Sequence, residues 1–161
     1  DAMSEAAVNR VFDIKKRKKA ATLLMLVDSP GMLEKHLPAL PEAAWDLIDV
    51  SDRPVTVIAK CSEDAKTKLA PGLVAPDGSI AVRWVKDDYL AFIIGGLGRP
   101  VASTSANLNG NATPGSYSAI DIEITSEADF IANHRRNAPP NSATSMLVKF
   151  DEQERITIIR S

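Results

Sequence analysis

Six short apolar runs, separated by helix-like segments, constrain this chain more than any other feature of its sequence. Residues 22–27 form a continuous apolar stretch, readable as a buried strand. Residues 54–60 and 79–85 are rich in β-branched side chains, and 100–103, 144–150 and 155–160 are further strand-like runs. Ser4 can cap a helix whose apolar face carries Ala7, Val8, Val11 and Phe12. Helices are expected over 31–37 and 41–50, the second with Pro41 in its first turn. Asp87 opens an apolar helix bearing Leu90, Ile93, Ile94 and Leu97, which Gly98 ends in a left-handed conformation. Residues 62–78 are expected to form a loop, and residues 104–117 another, rich in Ser, Thr, Asn, Gly and Pro. Strands alternate with helices early and pair as a hairpin late, across a polar turn at 151–154. The expectation is one α/β domain over residues 1–161, built on a mixed sheet.

Composition narrows the function classes. Apolar residues make up 45% and charged residues 25%, with a formal net charge of -2, so nothing global advertises nucleic-acid binding. Basic charge is local instead, in the unbroken run Lys15, Lys16, Arg17, Lys18 and Lys19. One cysteine, Cys61, excludes an intrachain disulfide and fits a reducing compartment, so the cytoplasm is expected. No apolar stretch approaches the roughly 20 residues needed to span a bilayer.

Several apparent motifs have plain explanations. Gly95-Gly96-Leu97-Gly98 ends a helix instead of opening one, so helix termination outweighs phosphate binding there. His36 and His134 lack neighbouring ligand types, which argues against zinc. Asp121, Glu123, Glu127 and Asp129 read as a solvated face, and nothing near Cys61 would lower its pKa.

Two clusters are harder to dismiss. Lys15-Lys16-Arg17 falls where a helix ends and a buried strand is about to begin. These cations either stabilise a helix C-terminus or form an anion clamp, a mobile ammonium beside a bidentate fork. Ser103-Thr104-Ser105-Ala106-Asn107 directly follows the strand at 100–103. In open α/β sheets ligands collect beyond the carboxyl ends of strands, and four short polar side chains there exceed what turn chemistry requires.

Taken together, these residues resemble the YrdC/TsaC family of threonylcarbamoyl-AMP synthases. The family's Lys-x-Arg corresponds to Lys15-Lys16-Arg17. Its Pro-x-Thr strand corresponds to Pro54-Val55-Thr56, preceded by a Trp-containing segment as at Trp45. A further strand matches Ser79-Ile80-Ala81-Val82-Arg83, and the Ser-Ala-Asn signature matches Pro100 to Gly110, with Asn109 in place of the usual Ser. The chain's close, Ile158-Ile159-Arg160, matches the family's own.

The resemblance implies a YrdC/RibB-like fold, a twisted open mixed sheet flanked by helices with a concave, positively charged ligand cavity. It implies a nucleotidyltransferase that uses ATP, L-threonine and bicarbonate to make threonylcarbamoyl-AMP and pyrophosphate, with Mg2+ accompanying ATP. Downstream proteins would transfer the threonylcarbamoyl group to tRNA. By resemblance Arg17, Ser79, Ser105, Asn107, Thr113 and Arg160 face the nucleotide, and Arg83, Ser103 and Ser145 face threonine or carbamate. Lys15 and Arg17 would stabilise charge on the transferred adenylyl group. The alternative is a catalytically incomplete module binding tRNA or double-stranded RNA. A related carbamoyl-adenylate domain of hydrogenase-maturation type is disfavoured, because such domains sit in longer chains with zinc-finger-like cysteines.

The chain also departs from the family pattern. Lys16 stands at the middle Gly of the clamp, Thr22 at a usual Pro, Leu26 at a common threonine-contacting His, and Val85 at a common Pro. The family's opening Pro-Thr-x-Thr-Val-Tyr-Gly-Leu segment, expected just before Asp1-Ala2, is not in this sequence.

Overall fold

The computed structural model describes residues 1–17, 22–140, 144–151 and 153–160. Lys18 and Lys19 of the basic run, and Glu152 of the final turn, lie outside them. Twelve elements follow in chain order: α1 (Glu5–Ile14), β1 (Leu24–Val27), α2 (Pro30–His36), α3 (Glu42–Val50), β2 (Val55–Lys60), α4 (Glu63–Lys68), β3 (Ser79–Trp84), α5 (Asp88–Leu97), β4 (Val101–Ser103), α6 (Ile122–Glu127), β5 (Met146–Phe150) and β6 (Ile156–Arg160).

Local chemistry accounts for most of these boundaries. Ser4, Ser29, Ser62 and Asp87 each accept a hydrogen bond from the backbone N–H three residues on, which satisfies a donor the helix leaves unpaired. Gly98 closes α5 at φ 66°, the left-handed conformation glycine adopts without penalty. Three expectations are corrected. Pro41 precedes α3 as its cap residue instead of sitting in its first turn. Residues 62–78 contain α4 and a 3-10 turn at Pro71–Leu73, because the Ser62 cap and two acidic residues support a helix start. The strand expected over 22–27 begins only at Leu24, since Leu23 N–H donates to Gly72 O and leaves the ladder.

The six strands lie in the order β4-β1-β3-β2-β5-β6. β1 runs parallel to β3 and β2 parallel to β5, while the other three neighbouring pairs are antiparallel. The sheet is therefore mixed, as expected. One face carries Met25, Val27, Val57, Ile80, Val82 and Val148, which pack with Val8 and Phe12 of α1, Leu33 of α2, Ala44 and Ile48 of α3, and Ala65 of α4. On the other face α5 covers one end, Ile94 meeting Leu26 and Val85. The rest of that face stays open. Among the described residues no helix is long and apolar enough to cross a membrane.

Candidate active site

Register decides what faces the open side. Because side chains alternate along a strand, cross-strand partners share a face. Ser103, Leu24, Ala81 and Ile58 form one such row, and Leu26, Arg83, Thr56 and Leu147 form the next. The second row ends on Arg160, which pairs with Leu147 across a register shift between Leu147 and Val148. The shift matters: Ile158 pairs with Val148 on the helix-covered face, and the extra residue swings Arg160 to the open one.

Over these rows lies a cavity of about 540 Å³. Arg17, Arg83 and Arg160 line it together with Ser103, Ser105, Thr113 and Ser145, all residues marked by the sequence. Thr22, Thr56, Thr104 and Thr144 add further hydroxyls. The cavity sits over the face of the sheet, not beyond the ends of strands. Strands run both ways in a mixed sheet, so no single carboxyl edge exists for ligands to gather at.

The guanidiniums are held by neutral acceptors. Arg17 Nη1 donates to Thr104 Oγ1 at 3.4 Å and Nη2 to Thr22 O at 3.3 Å. Arg83 Nε donates to Thr56 Oγ1 and Nη2 to Ser145 Oγ, each at 3.2 Å. Arg160 donates from Nε and Nη2 to Ser145 O at 3.1 and 3.0 Å. Among the described residues none of the three forms a salt bridge. Burial, and then the like charge of Arg160, lower the pKa of Arg83. Such an arrangement attracts anions, since the positive charge is concentrated and unanswered.

Lys15, Asn107 and Ser79 are placed differently. Lys15 is 4% exposed, and its ammonium donates to the carbonyls of Ser105 and Asn107, both at 2.5 Å. Burial, then Arg17, lower its pKa. Asn107 spends its amide on Leu108 O and Asn111 O, while its Oδ1 accepts from the Ser105 hydroxyl. Both residues shape the 104–117 loop behind the cavity wall. Ser79 is buried and donates to Asp77 Oδ1 at 2.6 Å, in a cleft that shares Thr22, Ile58 and Ala81 with the main cavity.

The remaining sequence landmarks serve the fold. His36 Nδ1 bonds Met32 O, and His134 stacks on Tyr89. Cys61 is buried, which raises its pKa. Glu123 and Glu127 are both paired: Glu123 meets Lys16, just past the end of α1, and Glu127 meets Arg10 of α1 at 3.2 Å. Thr56, which the sequence marked only as part of the Pro-x-Thr match and gave no role at the site, is a cavity residue on a strand whose other members before Lys60 are apolar.

Comparison with known proteins bears on this geometry. A protein of Methanocaldococcus jannaschii carrying the threonylcarbamoyl-AMP synthase name is 27% identical over 98% of this chain and 71% of its own length. The threonylcarbamoyl-AMP synthase of Aliivibrio fischeri is 31% identical over 77% of this chain and 66% of its own. A crystal structure of P. abyssi Sua5 complexed with L-threonine superposes with a TM-score of 0.78 at 23% identity, covering 99% of this chain. This chain spans 45% of that protein's length. The Sua5/YciO/YrdC family, described under telomere recombination, matches residues 1–161, the whole of this sequence. With that match and the same sheet in a solved relative, the chain belongs to the Sua5/YciO/YrdC family.

Proposed function

We propose that this chain makes threonylcarbamoyl-AMP from ATP, L-threonine and bicarbonate, releasing pyrophosphate. The observation that carries the reading is the trio Arg17, Arg83 and Arg160 around one hydroxyl-rich cavity, with no carboxylate on its wall among the described residues. The names of the two curated relatives and the threonine complex of the solved one support it. The RNA-binding alternative has no comparable support.

In the reaction, the threonine amine and bicarbonate first condense to N-carboxythreonine with loss of water, and a carbamate oxygen of that anion attacks the α-phosphorus of ATP. The P–O bond to the β-phosphate breaks, and pyrophosphate leaves with the electron pair. Both reactants are anions, so their repulsion is the first obstacle. Arg17 and Arg160 offset charge on the phosphates, with Ser105 and Thr113 as neutral partners. Arg83, Ser103 and Ser145 hold the threonine carboxylate or carbamate, so that attack is in line. Lys15 and Asn107 act one step back, by fixing the loop that presents Ser105. Ser79 would reach the nucleotide only where it extends into the adjoining cleft. Magnesium would arrive with the nucleotide: among the described residues no carboxylate lines the cavity and no cluster of metal-ligating side chains occurs.

Pyrophosphate formation tests the proposal directly. It should require ATP, threonine and bicarbonate together. Release that ignores threonine would refute it.

A further inference from the structure

Thr56 is fully buried, yet its hydroxyl sits in the middle of the cationic site. It accepts from Arg83 Nε at 3.2 Å and lies 2.9 Å from Ser145 Oγ. Counting lone pairs fixes the direction of the second bond. A serine hydroxyl accepts two hydrogen bonds and donates one. Ser145 Oγ already accepts from Arg83 Nη2 and Arg160 Nη2, each at 3.2 Å. Its proton therefore goes to Thr56 Oγ1, which then holds two donors, Arg83 and Ser145.

That leaves the Arg83 guanidinium tied at Nε and Nη2, with Nη1 making no hydrogen bond among the described residues. A planar fork fixed at two nitrogens has a fixed plane. We infer that Thr56 is a positioning residue for the proposed reaction: its hydroxyl sets the plane of Arg83 and the proton of Ser145, so that Nη1 is aimed at the anionic amino-acid substrate. The inference rests on the functional reading above for the identity of that substrate. A valine here would keep the shape and lose both bonds. Arg83 and Ser145 could then rotate, and Arg160 would keep its two bonds to the Ser145 carbonyl. The damage should fall on the threonine side.

The test compares Thr56→Val and Thr56→Ser with the parent chain at a temperature where circular dichroism shows all three folded. Pyrophosphate release gives KM for threonine and for ATP. Thr56→Val should raise the threonine KM about tenfold or more, the loss expected for a hydrogen bond to a charged group, with a much smaller change for ATP. Thr56→Ser should restore it. An equal rise in both KM values, or no rescue by serine, overturns the inference. A second readout does not depend on turnover. The Arg83 Nε–H signal in a nitrogen-15 spectrum should shift and exchange faster in Thr56→Val and return in Thr56→Ser. If the parent shows no threonine-dependent release, the functional reading fails by itself and this signal decides the role of Thr56. An unchanged signal would overturn it.

Discussion

Arg83 and Arg160 donate to the same acceptor, the hydroxyl of Ser145, each across 3.2 Å. Two like charges thus share one neutral group, and no carboxylate is paired with either among the described residues. A bound anion would relieve their repulsion. Arg160→Gln should therefore weaken a nonhydrolysable ATP analogue by about tenfold or more, as charge-assisted contacts contribute about 1.5–3 kcal/mol. Calorimetric titration measures it. Affinity equal to the parent's would remove Arg160 from the nucleotide site.

Lys15 joins the end of α1 to the loop that follows β4. Its ammonium holds two carbonyls, and Asn109 N–H returns a bond to Lys15 O at 3.0 Å. Lys15→Met keeps the stem but takes the ammonium from Asn107 O and leaves Ser105 O with the Asn107 N–H alone, costing about 1–3 kcal/mol. Turnover should fall further than stability does, because Ser105 loses its fixed position. Chemical denaturation alongside pyrophosphate assays separates the two, and a variant destabilised yet fully active would make Lys15 purely architectural.

At Gly72, in the 3-10 turn before β3, α1 lies close against the backbone. A Cβ there would lie 2.5 Å from Phe12 Cε2 and 2.9 Å from Val8 Cγ1. Both side chains are buried in the core and have little room to retreat. Gly72→Ala should destabilise the protein by about 1–3 kcal/mol, the usual range for overpacking. Urea unfolding checks this, and a neutral result would mean that α1 can shift outward freely.

Asp77 predicts an acid response. The Ser79 hydroxyl, then Lys149 and the Ser79 N–H, hold its carboxyl well below the ordinary carboxylate range. A depressed carboxylate contributes stability that is present above its unfolded pKa of about 3.9 and is lost as pH falls through the folded value. Asp77→Asn should thus be less stable than the parent at neutral pH, and the gap should close as the pH drops below about 4. The gap is modest, because Asp77 and Lys149 are both substantially exposed. Melting curves at pH 7 and in acid measure it. A gap that persists in strong acid would point to lost packing instead.

Lys16 has φ 50°, a left-handed backbone that costs a side-chain-bearing residue but not glycine. Its pairing with Glu123 is solvent-exposed and worth little in return. Lys16→Gly should raise Tm slightly. A drop would show that the tie between α1 and α6 outweighs the backbone cost.

Local rules in the sequence were enough to place the helix starts at Ser4 and Asp87, the stop at Gly98, and most of the strands, because caps and side-chain periodicity act over a few residues. They also marked Lys15-Lys16-Arg17 and the Ser103–Asn107 cluster as polar groups at element ends, whereas Arg83 and Arg160 stood out only through the family resemblance. Tertiary structure decided the rest. Arg160 reaches the cavity only through the register shift against Leu147, and no strand knows its bulge without its partner. Lys15 meets the carbonyls of Ser105 and Asn107 from 90 and 92 residues away, and Thr56 meets Ser145 across 89. α6 was missed because a short polar helix has no apolar stripe, and its place is set by ion pairs to Arg10 and Lys16. A hydroxyl in a strand carries the same local signal whether it fills a turn, a core or a site. Which it does depends on the charges that folding brings beside it, and those belong to other strands.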